Sequence, residues 1–524
     1  MKIRPSFFQF MSIGCLAGLL LVTTTLYGQD SYPPGWHKGY SQELQGANIE
    51  AAMDWLKARQ LKPRKTVVVG IIDSGLDTTA VDILPALWTN RKEKVDGKDN
   101  DRNGYADDLH GWNFLGTADG QFNLVRAGTQ AFREFKRLYP RYKNTPDSVR
   151  TDNEQEHAYY IEMKKKAGIA GYMKLHNFTR IKDISYRRID SVLHALPALD
   201  CDTLKTSSLV GLPIDYPQWE QDVQTIFADL LRGGGEKTWA QLLKQHNDAL
   251  ALQRTRIESI ENEPDKRLLL GDDPTNAEDR FYGNPILGLE DSEHGTFVAG
   301  VIAAQGTTHP QALGSFPAAK LMILRAVPDG DEYDKDIATA IRYAVDNGAK
   351  VINMSLGKYI SPQPQMVTQA IAYAQAKDVL IVQAAGNDGL NIDSISYFPL
   401  KHFADKVPAL CYLRVGASDA KCGRIGFSNY GVEQVDVFAP GVGIASVGLG
   451  NAFMQSQGTS AAAPVVSAVA AMLRAYFPKL KAAQVRSILM QSARLMPGKR
   501  VCASGGVIDA LAAVKLALTY SSKS

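Results

Sequence analysis

Three short motifs carry side chains that could pass a proton among themselves. They are Asp73-Ser74-Gly75-Leu76-Asp77, His294-Gly295-Thr296-Phe297-Val298-Ala299-Gly300 and Gly458-Thr459-Ser460-Ala461-Ala462-Ala463-Pro464. A hydroxyl is a poor nucleophile until an adjacent imidazole takes its proton. A carboxylate behind the imidazole fixes its tautomer and stabilises its charged form. The roles this suggests are Ser460 as nucleophile, His294 as general acid/base and Asp73 as the group that orients it. Each motif also has a plain structural reading: a turn aspartate, a packed histidine, a Gly-Thr-Ser helix cap. Their joint occurrence, each at the boundary of an element, favours the chemical reading. His294 is the only histidine followed by Gly-Thr.

The elements that must position these residues are legible. The run from Thr66 to Ile72 is wholly apolar apart from its first residue and rich in β-branched residues. Such a run predicts a strand buried on both faces. Similar runs follow at Lys320–Arg325, Val351–Leu356, Val379–Ala384, Leu413–Ala417 and Val435–Phe438. Helical patterns lie between them, at Ile337–Asn347 before Gly348 and at Pro364–Lys377. Strands alternating with helices in this way predict an α/β fold on a mostly parallel sheet. Ser460 is expected at the start of an Ala-rich helix whose small side chains allow close packing on the sheet. Pro464 is expected within that helix's first turn, where backbone N–H groups lack intrahelical partners.

The stretch from about 116 to 280 differs. Phe132, Phe135 and Tyr139 keep helical spacing, as do Tyr159, Ile161 and Met163 more loosely. Ile226, Leu230 and Leu231 precede Gly233-Gly234-Gly235, a helix stop. Leu242, Leu243, Leu250 and Leu252 mark a further helical segment. The stretch reads as an α-helical insertion with polar outer faces, either a solvated decoration or a lid or exosite that docks a partner.

The 524 residues include 58 basic and 55 acidic side chains, a net charge of +3. That composition is of a folded protein, and the balance gives no reason to expect a nucleic-acid partner. Five cysteines are too few for a disulfide-built scaffold. Lys2 and Arg4 precede an apolar stretch from Phe7 to Val22, and Leu26-Tyr27-Gly28 follows. This order predicts a signal peptide over 1–28, and hence export to the periplasm or outside the cell with no stable membrane span after cleavage. The alternatives are an uncleaved N-terminal anchor and a lipoprotein modified at Cys15. After cleavage four cysteines remain, and Cys411 with Cys422 is the first pairing to consider.

Taken together the motifs resemble those of the subtilases, the subtilisin-like serine proteases. The resemblance rests on Val-Gly-Ile-Ile-Asp-Ser-Gly at 69–75, His-Gly-Thr at 294–296 and Gly-Thr-Ser-Ala-Ala-Ala-Pro at 458–464, in the family's Asp, His, Ser order. Asn353-Met354-Ser355-Leu356-Gly357 resembles the family's substrate-binding strand, and Ala384-Ala385-Gly386-Asn387 its oxyanion-hole loop. Phe427-Ser428-Asn429-Tyr430-Gly431 and Ala439-Pro440-Gly441 match two later landmarks. The resemblance implies a subtilisin-like three-layer α/β fold and a serine endopeptidase that needs no cofactor for its chemistry. It implies Asn387 as an oxyanion donor beside the Ser460 N–H. It implies an extended protein or peptide substrate lying along Ser355, Leu356, Gly357, Ala384 and Gly386. The catalytic domain would run from 49 to 518, interrupted by 116–280, after a short segment 29–48 and before a tail 519–524. Four departures stand out. Phe297 replaces a common second histidine and Ala461 a common methionine. The Asp-to-His interval is lengthened by the insertion. The roughly twenty residues after Gly28 are too few for a compact inhibitory propeptide.

One further motif lies outside that constellation. Asp99, Asp101, Asn103 and Asp107 occupy positions 1, 3, 5 and 9 of a calcium-type loop, with Gly104 at the turn. His110 stands where a bidentate glutamate would close the set. The two readings are a structural calcium site and an Asx-rich turn held by its own side chains.

Overall fold

The computed structural model describes residues 32–149, 151–196, 198–231, 235–262, 264–403 and 407–521. The expected signal peptide lies outside them. The strands in chain order are β1 (Val68–Asp73), β2 (Gly111–Asn113), β3 (Arg126–Gly128), β4 (Lys320–Arg325), β5 (Asp329–Gly330), β6 (Val351–Met354), β7 (Leu380–Ala384), β8 (Tyr412–Ser418), β9 (Val437–Pro440), β10 (Ile444–Val447), β11 (Phe453–Ser456), β12 (Arg494–Leu495) and β13 (Gly506–Val507). The helices are α1 (Ile49–Ala58), α2 (Gln130–Tyr142), α3 (Glu154–Lys166), α4 (Ile169–His194), α5 (Trp219–Leu230), α6 (Trp239–Asn262), α7 (Glu293–Ala303), α8 (Asp334–Asp346), α9 (Pro364–Ala376), α10 (Thr459–Tyr476), α11 (Ala482–Gln491) and α12 (Ala510–Ser521).

Nine strands form one sheet in the order β12-β13-β9-β8-β7-β6-β1-β4-β2. Its pairings are parallel except that of β12 with β13. Parallel strands need helical crossovers, so both faces are covered, and successive side chains split between two cores. Val69, Ile71, Leu321, Ile323, Leu380 and Val382 enter one core with α1, α7, α10, α11 and α12. Ile72, Met322, Leu324, Ile352 and Ile381 enter the other with α8 and α9. The α/β expectation of a mostly parallel sheet between helical layers is met. The apolar runs of the sequence are strands for this reason: either neighbour in the run has a core to enter.

Helix α10 is buried on almost its whole circumference, from Ala461 to Tyr476. Alanine on the faces toward β6 to β9 lets it pack closely. Its start at Thr459 places Pro464 sixth in the helix, beyond the first turn where the sequence suggested it. A proline there cannot donate to the carbonyl four residues back. That carbonyl belongs to Ser460, and Ser355 Oγ donates to it at 2.9 Å instead.

The chain divides into two compact units. The helical unit includes Ala131–Pro264. Its core is built by Tyr186, Ile189, Leu193, Trp219, Ile226 and Trp239. The larger unit holds the sheet and includes the segments 116–130 and 265–280. The cysteines at 201, 411, 422 and 502 are free thiols. Cys411 and Cys422 do not pair, because they enter different cores. Cys422 Sγ instead accepts from Arg494 at 3.3 Å.

The segment that follows the helical unit is pinned to α8 by buried charges. Arg267 donates to Asp336 through Nε at 3.0 Å and Nη2 at 2.7 Å, and also pairs with Asp272. Lys335 pairs with Asp272, and Tyr282 donates to Asp336 at 2.6 Å. These groups are nearly or fully buried. Removing one partner from such a set strands a charge without water, a loss of about 3–5 kcal/mol. Asp336→Ala should therefore lower the unfolding free energy obtained from urea denaturation by an amount of that order, with a lower midpoint. An unchanged midpoint would mean that water reaches the cluster.

Candidate active site

The site lies where the sheet's strands end. Residues Ile72 and Met354 are register partners in β1 and β6, and Met354 pairs with Gln383 in β7. Asp73, Ser355 and Asn387 therefore leave the carboxyl edge of three adjacent strands. Ligands in open parallel sheets bind at that edge.

Asp73 is buried, and its Oδ1 accepts from the Ser74 N–H at 2.8 Å and meets His294 Nδ1 at 2.7 Å. A carboxylate acceptor assigns the ring proton to Nδ1 and leaves Nε2 as the base. The loop after β1 is laced to the start of α7. Gly295 N donates to Ser74 Oγ at 3.1 Å, and Asp77 N donates to Thr296 Oγ1 at 2.8 Å. Gly295 must be glycine, because a Cβ there would collide with the Gly75 carbonyl. Enclosure of the imidazole lowers its pKa, but the charge and hydrogen bond of Asp73 outweigh this and hold it above the ordinary value. Nearly half of the His294 side chain is open to solvent, so its desolvation is partial.

Ser460 is the second residue of α10 and half-buried. Gly458, at φ 139, precedes it. A Cβ on Gly458 would sit 3.3 Å from Ser460 Oγ and 3.5 Å from Asn387 Nδ2. The glycine thus leaves open a space that both groups border. Among the described residues no hydrogen bond joins Ser460 Oγ to His294, and such bonds commonly tighten only with substrate. The positive end of the α10 dipole lies beside Ser460 and favours negative charge there.

Asn387 is exposed, yet its amide is oriented. Its Oδ1 accepts from Thr459 N at 2.8 Å and Thr459 Oγ1 at 2.9 Å. With the oxygen held, Nδ2 is the free donor. Thr459 Oγ1 also accepts from Gly386 N at 3.1 Å. Asn429 is fully buried and braces the same loop, donating to Ala385 O at 2.9 Å and accepting from the N–H groups of Asp388 and Leu390. Neither support was assigned from sequence. Thr459 lay inside a quoted motif and Asn429 inside a landmark, but the direction of a side chain is a tertiary fact.

Ser355 Oγ links the two sides of the cleft. It donates to Ser460 O and accepts from Asn353 Nδ2 at 3.0 Å, while Ser467 donates to Asn353 Oδ1 at 2.9 Å. Ser355-Leu356-Gly357 and Ala384-Ala385-Gly386 leave neighbouring strands. Phe297 and Ala461, two of the departures from the family pattern, are buried in the core.

The calcium-type loop fits its expected set only in part. Ligand atoms of Asp99 and Asp101 lie within 4.8 Å of one another and of Glu93, which the sequence reading missed. The Asn103 amide is turned to Asp108 at 2.7 Å. The Asp107 carboxylate accepts from the N–H groups of Asp96 and Gly97. The acidic group that could hold a cation here is Glu93, Asp99 and Asp101, and Asp107 lies outside it.

A subtilase family model matches residues 263–512. The chain is 38% identical over 194 residues to the thermophilic serine proteinase of Bacillus sp. (strain AK1), covering 37% of this chain and 45% of that protein. It is 35% identical over 224 residues to subtilisin BL of Lederbergia lenta, covering 42% of this chain and 77% of that protein. A solved protease of Pseudoalteromonas arctica PAMC 21717 is 31% identical, covering 43% of this chain and 70% of that one with a TM-score of 0.37.

The Asp73–His294 contact is directly testable. Asp73→Asn removes the charge that raises the imidazole pKa, so the His294 titration followed by NMR should move to lower pH. A titration that stays in place would show that another group sets it.

Proposed function

The chain belongs to the subtilase family, and from that premise we propose that it is an exported serine endopeptidase acting on extended peptide segments. The observations that carry the reading are the hydrogen bond between Asp73 and His294, the serine at a helix N-terminus and the Asn387 amide held with its donor free. In this reading Ser460 Oγ attacks the scissile carbonyl carbon and passes its proton to His294 Nε2. Asp73 stabilises the imidazolium. The oxyanion takes hydrogen bonds from Asn387 Nδ2 and the Ser460 N–H. His294 then protonates the leaving amine, and water repeats the sequence to release the acyl group. In subtilisin, loss of one such donor costs on the order of a hundred- to a thousandfold in turnover.

The substrate would add a strand beside Ser355-Leu356-Gly357, so affinity would come largely from main-chain hydrogen bonds. Export rests on the N-terminal sequence. Among the described residues no helix is long and apolar enough to cross a membrane.

Because the base must be neutral, activity should fall as pH drops through a His294 pKa that lies above the ordinary 6.5. The stability term has the opposite window. It is present below the unfolded pKa and is lost as pH rises through the raised one.

Ser460→Ala should abolish casein cleavage and fluorophosphonate labelling while leaving the thermal transition intact. Casein cleavage that survives this change would sink the assignment. A structural calcium held by Glu93, Asp99 and Asp101 should raise the melting temperature of the Ser460→Ala protein, and Asp99→Ala should remove that gain. No calcium-dependent shift would leave the loop as an Asx-rich turn.

A further inference from the structure

Tyr397 stands in the gap between the two segments that the proposed hydrolase would use to hold its substrate. A Cβ on Gly357 would collide with the Tyr397 hydroxyl and lie 2.8 Å from Cε1. A Cβ on Gly386 would lie 2.9 Å from the same hydroxyl and 3.1 Å from Cε2. The two glycines therefore approach the tip of one ring from its opposite edges. Gly357 owes its lack of a side chain to the ring, whereas a Cβ on Gly386 would meet Asn429 Nδ2 first, at 2.4 Å, and the ring after it.

The ring is fixed in this place. Tyr397 is 5% exposed. The next residue is bridged to the substrate segment, with Phe398 N donating to Lys358 O at 2.8 Å and Lys358 N to Phe398 O at 3.2 Å. The buried Gln383 amide donates to both Leu356 O at 3.2 Å and Phe398 O at 3.1 Å. Arg414, fully buried, donates to Pro399 O at 2.6 Å and lies 5.1 Å from the Tyr397 ring centroid. Tyr359 packs edge-on against the ring at 5.3 Å. Its hydroxyl accepts from Asn429 at 2.9 Å and donates to Asp388. Swinging Tyr397 aside would break this packing without replacing it.

We infer that Tyr397 determines specificity by filling the slot between Gly357 and Gly386, so that the residue supplying the scissile carbonyl must be glycine, alanine or serine. The inference rests on the hydrolase reading above. Its chemistry is steric: a leucine or phenylalanine in that position would need the volume the ring already holds. One methylene in a close-fitting pocket changes kcat/KM by about 10–200-fold, so a whole phenyl group is expected to lose at least about 100-fold against a methyl.

The test is a matched peptide series with alanine, leucine or phenylalanine at the cleaved residue. The wild type should favour alanine over phenylalanine by about 100-fold or more in kcat/KM. Tyr397→Ala should raise the phenylalanine-to-alanine ratio at least about tenfold, whereas Tyr397→Phe, which keeps the ring, should leave that ratio near the wild type's. Hydrolysis of the phenylalanine peptide within about tenfold of the alanine peptide by the wild type would overturn the inference. So would a folded Tyr397→Ala protein with an unchanged ratio. Binding of the same peptides to the Ser460→Ala protein reads the slot without turnover. Selective binding with no hydrolysis by the wild type would break the hydrolase reading alone, and unselective binding would break the slot.

Discussion

A proline in the second turn of α10 leaves the Ser460 carbonyl without its helical donor, and the Ser355 hydroxyl takes that place. A buried carbonyl left unmet costs on the order of 1–3 kcal/mol, so the bond is a constraint and not an ornament. It ties the end of β6 to the residue carrying the candidate nucleophile. Asn353 and Ser467 continue the chain of hydrogen bonds, so that α10 is held to β6 at two of its turns. The Ser355 segment and the serine thus share one rigid frame. Catalytic geometry is sensitive to displacements of about 1 Å, and this frame is what limits them.

The same economy governs the charged groups. Asp73 gives His294 its proton position and its raised pKa, while Thr459 occupies the acceptor of Asn387 and so selects which end of the amide faces the cleft. In both cases a neighbour fixes the orientation of the group beside it. Preorganised dipoles of this kind need no rearrangement when charge develops.

Much of the architecture was legible because parallel strands are buried on both faces. Residues 321–324 could be read as an uninterrupted apolar run, and 351–354 as one broken only by Asn353, for that reason. The site motifs were legible because their residues lie at element ends, in a fixed order along the chain. Other features were invisible for equally physical reasons. Glu93 joins Asp99 and Asp101 only through the folding of a loop. Tyr397 is one aromatic among many until the glycines facing it are located. Pro464 was placed a turn early because helix starts are uncertain by a residue or two in sequence, and its consequence for Ser460 depends on that count. Segments 116–130 and 265–280 lack strand periodicity, so they resemble the adjoining helical stretch although they pack with the sheet.

The strand order has a consequence for how the molecule is made. β1 is paired on both sides, yet Val68 meets Lys320 and Val69 meets Val351. At roughly 5–20 residues per second, synthesis leaves this apolar strand without either neighbour for on the order of ten seconds or longer. No local hairpin can shield it, since parallel pairing requires the distant chain. The helical unit between them is built from contacts close in sequence, the kind that form early and fast. The nascent chain therefore passes through a long interval in which its helices can fold while this apolar strand waits.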